Sequence, residues 1–391
     1  MKIAFITGCL EPEWDGVGDY TRRLAAECIR QGHPAIILAL NDSHVRDAFL
    51  GWQEMEGASI SVLRLPGTIS WSDRTRIAQE WLGIFRGDWL SLQYVCYGYH
   101  PKGMAWRVNS VFAALRKTCA RRHLMFHELW IGEKRHSALR HQLFGLAQRW
   151  IIFAMYRYFR PSLVTTSMGL YQRRLSRRGV VAEVLPLFGN IRMALRDDDR
   201  LTELLRAKGS RLAQKPRASF VSGVFFGTIH PDFYARPLIK WLKELRSQTA
   251  KPVLLTMIGR SGAGSIVLAE RLVSAPGDAF EVVMLEEQSE QIISQVLQFA
   301  DFGINTGSPE TLGKSGTFAA MREHGLPVVL ADGDLDSTLL GDGGPPVLQF
   351  SSENSVRSVM SRWHPANALG GVTRITASFL HLLGGLEPRR L

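Results

Sequence analysis

Cysteine is scarce in this sequence, which excludes the small folds that depend on it. The 391 residues include four cysteines, all in the first third of the chain, and no two form a Cys-x-x-Cys pair. A disulfide scaffold or a zinc ribbon needs more closely spaced thiols. The composition therefore fits a reducing compartment, and we expect a cytoplasmic protein.

Long hydrophobic runs, repeats and low-complexity tracts are also absent. No stretch reaches the roughly 18 apolar residues that a membrane-spanning helix needs. The apolar start over residues 1–7 runs into acidic residues without a small-residue cleavage site, so it is interpreted as a buried strand and not as a signal peptide. The chain is 46% hydrophobic, and its length and composition favour two folded domains.

Acidic residues are nearly missing from one segment of the chain. Residues 100–178 contain 16 Lys and Arg residues but only Glu128 and Glu133 as acids, whereas the whole chain has a net charge of +11. Such a segment attracts an anionic partner: nucleic acid, anionic lipid or a phosphorylated acceptor. An ordinary solvated surface with arginine-rich helices is the alternative.

Apolar, strand-like runs alternate with helical patterns in two series. The first series covers residues 2–7, 34–40, 60–65, 89–94, 123–127, 163–167 and 182–187. The second covers residues 220–227, 253–259, 280–285, 302–307, 327–332 and 346–350. Continuous apolar strands separated by helices are typical of parallel sheets covered on both faces, so the fold class is α/β with two doubly wound, Rossmann-like domains.

The charged stretch between the two series sets the domain boundaries. We predict a first domain over 1–190, a charged linker over 191–216, a second domain over 217–365, and a C-terminal helix over 366–391 that returns toward the first domain. Because ligands of open parallel sheets bind at the carboxyl ends of strands, the functional residues are expected directly after strands.

Gly16 and Gly18 follow the first strand, where a helix is predicted to begin near Gly18 and to end at Gly32. They would let a ligand approach the positive end of that helix. A dinucleotide fingerprint is not present, because Thr21 stands where its third glycine belongs.

Two later strands of the first domain also end in polar or aromatic residues. Tyr97, Tyr99 and His100 follow one strand and could stack on a sugar of the acceptor, although a packed loop corner explains them equally well. His127 and Glu128 follow the next strand and are candidate catalytic residues. They do not form His-Glu-x-x-His, so no metal site is predicted.

An arginine-rich helix is predicted next. Arg149, Phe153, Tyr156, Arg157 and Arg160 share one side of a helical wheel. Arginines mixed with aromatic residues suit a membrane surface, so the protein could bind peripherally at the inner face of the membrane. The alternative is an ordinary amphipathic helix packed on the sheet.

The strongest pattern lies in the second domain, where Glu310 precedes a predicted helix start. The residues at this start offer N–H groups, a lysine and hydroxyls to a phosphate or diphosphate; they are Gly313, Lys314, Ser315, Gly316 and Thr317. The segment is not a P-loop (Walker A motif) of a nucleoside triphosphatase, because Ser308 stands where that motif requires glycine. Gly227 and Thr228, and further on Arg260, follow two other strands of this domain and could also contact a diphosphate.

Together, these segments resemble the glycosyltransferases of the GT-B fold, family 4-like, along almost the whole chain. The similarity is carried by DGVGDYTRRLA, QYVCYGY, FHELW, VTTS, FFGTIHPDF and GKSGTFAAMREHGLPVV. It implies two Rossmann-like domains facing across a cleft, a nucleotide-sugar donor on the second domain and an acceptor on the first. It also implies sugar transfer with retention of anomeric configuration, with neither a metal ion nor another cofactor.

The resemblance also implies roles for individual residues. Gly16 and Gly18 would lie against the donor phosphates or the acceptor, and His127 near the transferred sugar. Glu310 matches the first glutamate of the family's Glu-x7-Glu motif, and the helix start after it would face the diphosphate. The second glutamate is replaced by Phe318, which leaves the nucleotide open, with a UDP-sugar favoured and a GDP-sugar next.

Lys314 and Arg260 are expected to neutralise the diphosphate, and Asp19 or Glu128 to assist the acceptor hydroxyl. The basic first domain favours a lipid-linked, polysaccharide or other anionic glycan acceptor over nucleic acid. Two alternatives remain: a nucleotide-sugar epimerase of the same fold, and a degenerate module that binds a nucleotide sugar without turning it over.

Overall fold

The computed structural model describes residues 1–12, 14–132, 139–229, 233–260, 262–275, 280–335, 344–361 and 371–385. The chain forms two compact units. The first consists of Met1–Pro186 together with the C-terminal residues from Val372, and the second of Leu187–Gly371.

The described part of the first unit is built on an eight-stranded sheet. Its strands are β1 (Ile3–Thr7), β2 (Ala35–Asp42), β3 (Phe49–Met55), β4 (Ala58–Pro66), β5 (Trp89–Tyr94), β6 (Arg121–Phe126), β7 (Leu163–Thr166) and β8 (Glu183–Val184). The order across the sheet is β3-β4-β2-β1-β5-β6-β7-β8, and β3 alone in it runs antiparallel to its neighbour. The predicted parallel strands are confirmed, and β3 was not predicted.

Helices cover this sheet on both faces. They are α1 (Gly16–Arg30), α2 (Trp71–Phe85), α3 (Val108–Leu115), α4 (Leu139–Phe159), α5 (Gly169–Ser176) and α12 (Gly371–Gly384). The last of these packs its Phe379 ring against Phe5 of β1 and His123 of β6, with ring centroids 6.0 and 5.1 Å apart. The C-terminal helix therefore belongs to the first unit from Val372 onward, while residues 366–370 and 386–391 of the predicted segment lie outside the described residues.

Local signals explain the bounds of α1. The side chain of Asp15 accepts a hydrogen bond from the Val17 N–H and so caps the helix start. Gly32 has φ +83°, and its N–H bonds to the carbonyl of Ile29, which ends the helix in the left-handed conformation that glycine tolerates.

The described part of the second unit is built on a six-stranded, all-parallel sheet. Its strands are β9 (Val221–Phe226), β10 (Val253–Ile258), β11 (Phe280–Glu286), β12 (Phe302–Asn305), β13 (Val328–Leu330) and β14 (Val347–Gln349), in the order β11-β10-β9-β12-β13-β14. The helices are α6 (Asp198–Ala207), α7 (Ala235–Thr249), α8 (Ala263–Val273), α9 (Glu290–Phe299), α10 (Gly316–Glu323) and α11 (Ser355–Met360). Two apolar clusters, one on each face of this sheet, form its core.

The segment predicted as a charged linker, 191–216, is instead part of the second unit. It contains α6, whose Leu201 and Leu205 are buried in the same cluster as Leu297 of α9. The charged side chains of α6 occupy its outer face, so its high charge density concealed an amphipathic helix. The first unit accordingly ends at Pro186, not at residue 190.

Each sheet reverses its strand order at one point. In the first unit β1 lies between β2 and β5, and in the second unit β9 lies between β10 and β12. At such a switch point the following loops separate, and they leave a crevice at the carboxyl ends of the strands. Among the described residues, no helix is long and apolar enough to cross a membrane.

Candidate functional site

A cavity of about 200 Å³ lies at the switch point of the second unit. It is bounded by the ends of β9 and β12, by the loops that follow them, and by the start of α10. Its lining comprises Phe225, Phe226, Gly227, Thr228, Ile229, Ile304, Asn305, Thr306, Gly307, Ser308, Thr311, Leu312, Lys314, Ser315 and Thr317. The two loops that the sequence singled out in this domain therefore meet around one cavity.

Glycines allow the loops to approach closely beside this cavity. Gly227 has φ +92°, and a Cβ atom there would lie 2.7 Å from Cγ2 of Thr317. Gly259, after β10, has φ +118°, and its Cβ would lie 2.9 Å from the Cα of Gly227. Larger residues at either position would push the three segments apart.

The start of α10 presents polar groups to the cavity. The Ser315 hydroxyl caps the helix by accepting a hydrogen bond from the Phe318 N–H at 3.2 Å, and it also lies 3.0 Å from the Thr317 hydroxyl. The first N–H groups of a helix have no partner within the helix and carry partial positive charge. Together with exposed Lys314, they make this end of the cavity suitable for a phosphate.

Asn305 is a cavity residue that the sequence reasoning missed. It is buried at the end of β12, and its side-chain oxygen accepts a hydrogen bond from the Gly307 N–H at 2.8 Å. This bond shapes the loop between β12 and α10. A polar residue that ends an apolar strand was the available signal.

Other predicted donor-binding residues do not line the cavity. Glu310 is half-buried in the turn before α10, and Gly313 is buried there. Gly316 opens α10 with no atom near its Cβ position. The Arg260 side chain is exposed and pairs with Glu287 at 2.8 Å, so the structure does not bring it to the cavity.

In the first unit, glycines bring the loops after β1 and β5 together. A Cβ atom on Gly8 would lie 2.7 Å from the carbonyl oxygen of Gly98. A Cβ on Gly18 would lie 2.5 Å from the carbonyl oxygen of Cys9, so this glycine is needed to pack α1 against the first loop. Gly16, by contrast, is exposed and has no atom near its Cβ position.

His127 is buried at the end of a hydrogen-bonded chain that crosses the sheet. Its Nε2 lies 2.9 Å from Oε1 of Gln93, whose amide nitrogen donates to the Ser91 hydroxyl at 2.9 Å. Since Oε1 can only accept, Nε2 of His127 carries the proton and Nδ1 remains an acceptor. The imidazole also makes an edge contact with the Tyr20 ring of α1, with centroids 4.9 Å apart.

The same chain continues to a second buried histidine. The Ser91 hydroxyl lies 2.8 Å from Nδ1 of His123, and Nε2 of His123 lies 2.8 Å from the Thr165 hydroxyl. Burial lowers the pKa of both His123 and His127 from 6.5 to about 3. His127 is therefore neutral near pH 7 and can act as a hydrogen-bonding group but not as a cation.

The two predicted carboxylates near this histidine differ in their surroundings. Asp19 pairs with Arg22 one turn along α1, which holds its carboxylate against the helix surface. Glu128 is half-buried directly after β6. Among the described residues, no group of three or more His, Cys, Asp or Glu side chains is placed to hold a metal ion.

Of the predicted acceptor-binding residues, some lie at the surface of the first unit and one lies in its core. Tyr97 is exposed, and its hydroxyl accepts a hydrogen bond from Gln148 at 3.2 Å. Nδ1 of His100 accepts the backbone N–H groups of Lys102 and Met104, which organises the turn after it. The expectation for Tyr99 is wrong, because its ring is buried in the core beside Tyr94 and Phe112 and cannot stack on an acceptor.

The predicted membrane-facing side of α4 also needs correction. Phe153 and Tyr156 are partly buried and pack against the core of the first unit. Arg157 and Arg160 are exposed, and Arg149 is half-buried. The aromatic residues of that predicted face therefore point toward the sheet, and the exposed side of α4 carries other residues.

Comparison with known proteins identifies the fold. A scan against protein-family models finds no match, and neither does a search of curated proteins. Among solved structures, the chain is similar to sucrose-phosphate synthase from Thermosynechococcus elongatus, with TM-score 0.58 and 14% identity over 99% of both chains. It is also similar to HepE from Anabaena in complex with UDP, with TM-score 0.60 and 16% identity over 99% of this chain and 100% of that one.

A third similar structure is the lipopolysaccharide outer core galactosyltransferase WaaB, with TM-score 0.56 and 12% identity over 98% of this chain and 99% of that one. These likenesses extend over both units, and they confirm the GT-B fold that the sequence predicted.

Proposed function

We propose that this protein is a glycosyltransferase that moves a hexose-type sugar from a nucleoside-diphosphate donor to a hydroxyl acceptor. The observation that carries the proposal is the cavity at the switch point of the second unit, where two loops and the start of α10 meet. The GT-B fold supports it, since the similar structures include a galactosyltransferase and a protein in complex with UDP.

The cavity suits the diphosphate of the donor. Negative charge develops on the leaving diphosphate as its bond to the sugar breaks, and preorganised N–H groups and cations stabilise such charge. The α10 start supplies the N–H groups, Lys314 the cation, and Ser315 and Thr317 the hydroxyls. At about 200 Å³, the cavity is smaller than a site for a whole nucleotide sugar, so the proposal assigns to it only the diphosphate and the adjoining sugar.

The donor base is proposed as uracil, with guanine next. Phe318, which replaces the second glutamate of the motif, is buried in the core of the second unit and offers no oxygen to a ribose. The ribose must therefore be held by other groups than that carboxylate. HepE, one of the similar structures, is described in complex with UDP-glucose, which supports testing UDP-sugars first.

The acceptor is proposed to bind the first unit, near the loops after β5 and β6. His127 would hydrogen-bond the transferred sugar through its neutral imidazole, and Glu128 or Asp19 would assist the acceptor hydroxyl. We favour a lipid-linked, polysaccharide or other anionic glycan acceptor, because the excess positive charge of the chain lies within this unit. Transfer is proposed to retain the anomeric configuration and to need no metal ion.

The missing second glutamate favours one competing proposal, in which the protein is a module that binds a nucleotide sugar without turning it over. A screen of UDP- and GDP-sugars separates the two. Thermal shift first finds the donor, since a ligand at 100 times its dissociation constant stabilises by about 2.7 kcal/mol. Release of UDP or GDP from that donor, with EDTA present, is then measured with candidate acceptors.

The glycosyltransferase proposal expects nucleotide release that an acceptor accelerates and EDTA leaves unchanged. Binding without release would support the module. Failure of every nucleotide sugar to stabilise the protein would contradict both, and conversion of the free nucleotide sugar to its epimer would point to the epimerase.

A further inference from the structure

Helix α4 exposes an apolar stripe. Leu139, Leu143, Leu146 and Trp150 recur at spacings of four, three and four residues, which places them on one side of the helix. Their exposures are 77, 63, 49 and 71%. We call these four residues the α4 stripe.

The opposite side of α4 is buried in the first unit. Ile151, Ile152, Met155 and Phe159 are buried. Gly145 is also buried, and a Cβ atom there would collide with the carbonyl oxygen of Ile131 in the loop after β6. The helix therefore cannot rotate to hide the α4 stripe without losing this core, and the exposure of the stripe is a stable feature of the unit.

Gln148 fixes the same half of α4 to the loops that follow β5 and β6. Its amide nitrogen lies 3.2 Å from the Tyr97 hydroxyl and 3.2 Å from the carbonyl oxygen of Lys102. Its amide oxygen accepts the Ile131 N–H at 3.2 Å. Because Gln148 is buried, these bonds hold α4 at the loops where the acceptor is proposed to bind.

The charges around the α4 stripe indicate which kind of partner binds it. Leu139–Phe159 contains no acidic residue. Arg140 and Arg149 adjoin the first and last stripe residues, and exposed Arg157 continues the stripe two turns beyond Trp150. An apolar helix face with arginines beside it and a tryptophan at its end matches the boundary between lipid headgroups and acyl chains. Arginines there also attract anionic lipid.

We propose that the α4 stripe docks the first unit on the surface of an anionic lipid bilayer. The stripe spans roughly 17 Å, since a helix rises about 1.5 Å per residue, and it lies along the surface rather than crossing it. Docking would bring the loops after β5 and β6 to the lipid headgroups, where they could reach a lipid-linked acceptor. This consequence rests on the proposed function, which places the acceptor at those loops. The docking itself is independent of the transferase proposal.

The test is flotation of the full chain with vesicles of phosphatidylcholine, alone or mixed with phosphatidylglycerol. The wild-type protein is expected to float with the mixed vesicles, to float less with the neutral ones, and to be released by salt. The double substitution Leu143→Glu and Trp150→Glu should lower the partition coefficient at least tenfold. The matched control is Ile84→Glu with Val181→Glu, which adds the same charge at positions 81 and 83% exposed on the same unit.

A second variant covers the case in which the first does not fold. Arg140→Gln with Arg149→Gln keeps the stripe and should weaken binding roughly fivefold per arginine. Circular dichroism melting and thermal shift with the donor check that each variant is folded. Loss of flotation by a variant that is folded and still binds the donor assigns the effect to docking. Failure of the wild-type protein to bind any nucleotide sugar would count against the transferase proposal only.

Three results would overturn the docking proposal. One is wild-type protein that stays unbound with anionic vesicles. Another is a stripe variant that floats as well as its control. The third is a dimer in light scattering that Leu143→Glu with Trp150→Glu dissociates without any vesicle binding, since that would make the stripe an interface between two copies.

Discussion

At the scale of single residues, the buried histidines have the clearest measurable consequence. His123 and His127 lie in one hydrogen-bonded chain with Ser91, Gln93 and Thr165, and burial lowers the pKa of each to about 3. The Thr165 hydroxyl donates to the sulfur of Met125, so it accepts from Nε2 of His123. Nδ1 of His123 must then accept from the Ser91 hydroxyl, so the chain is satisfied only while the His123 ring is neutral.

This chain predicts how stability depends on pH. In the unfolded chain both histidines bind protons near pH 6.5, whereas in the folded protein they do so only near pH 3. The unfolded state therefore binds more protons between these values, so the free energy of unfolding is highest above about pH 6.5 and falls as the pH is lowered toward 3. Urea midpoints at pH 7, 6 and 5 measure the slope.

A variant of His123 shows how much of this pH dependence of the free energy of unfolding comes from that residue. His123→Gln keeps a polar side chain but cannot titrate, so its urea midpoint should fall less steeply with decreasing pH than that of the wild type. Equal slopes for the two proteins would show that His123 contributes nothing to the pH dependence.

The sequence located His127 but not its environment. Its place directly after a short apolar strand singled it out, whereas Gln93 and Ser91 lie on a neighbouring strand and come into reach only through the pairing of β5 with β6. For the same reason Tyr99 was misjudged. A tyrosine after a strand end can turn outward or inward, and its stacking against Tyr94 depends on the path of the loop.

At the scale of elements, the start of α1 shows that two neighbouring glycines have different roles. Gly18 packs against the carbonyl oxygen of Cys9, whereas Gly16 has open space at its Cβ position. Gly18→Ala should therefore lower the free energy of unfolding by about 1–3 kcal/mol, the usual cost of overpacking. Gly16→Ala should be neutral or stabilise slightly, since alanine favours a helix over glycine by about 1 kcal/mol.

Urea unfolding of both α1 variants checks this difference. Equal midpoints for Gly18→Ala and Gly16→Ala would contradict the packing role of Gly18. The pair is well matched because the substitutions are identical and lie two residues apart on one helix.

The elements that the sequence missed share a physical cause. β3 is an exposed edge strand that is interrupted by Gly51 and has polar residues near its end, so it lacks the apolar run that marked the other strands. In α4, apolar residues occur on most sides of the helix, and the buried side is selected by Gly145 and Gln148 through contacts with distant loops. Periodicity alone could not choose between Phe153 and Trp150 as the exposed aromatic residue.

At the scale of the whole molecule, the strand order explains why the predicted motifs work as a set. Strands read from the sequence in two series assemble into two sheets, and each sheet reverses its order at its first strand. The loops after β9 and β12 are 79 residues apart in sequence, yet they meet at that reversal around one cavity. Apolar runs and glycines were enough to predict the sheets, but the cavity depends on pairing between strands far apart in sequence.

The two units also differ in net charge. The residues 100–178, with 16 basic and two acidic residues, all lie within the first unit, and the excess of positive charge is absent from the second. The unit with the proposed donor cavity is thus nearly neutral, and the unit that carries α4 is the basic one. This division agrees with a phosphate site built from a helix start and one lysine rather than from a broad positive surface.

The account centres on a diphosphate bound in the cavity of the second unit, and titration calorimetry with UDP and GDP tests it most directly. The wild-type protein should bind at least one of them, and Lys314→Ala should raise its dissociation constant about tenfold, as expected for loss of a hydrogen bond between charged groups. Lys243→Ala, an exposed lysine on α7 of the same unit, should leave the constant unchanged. Equal affinities for wild type and Lys314→Ala, or no binding of either nucleotide to the wild type, would contradict the account.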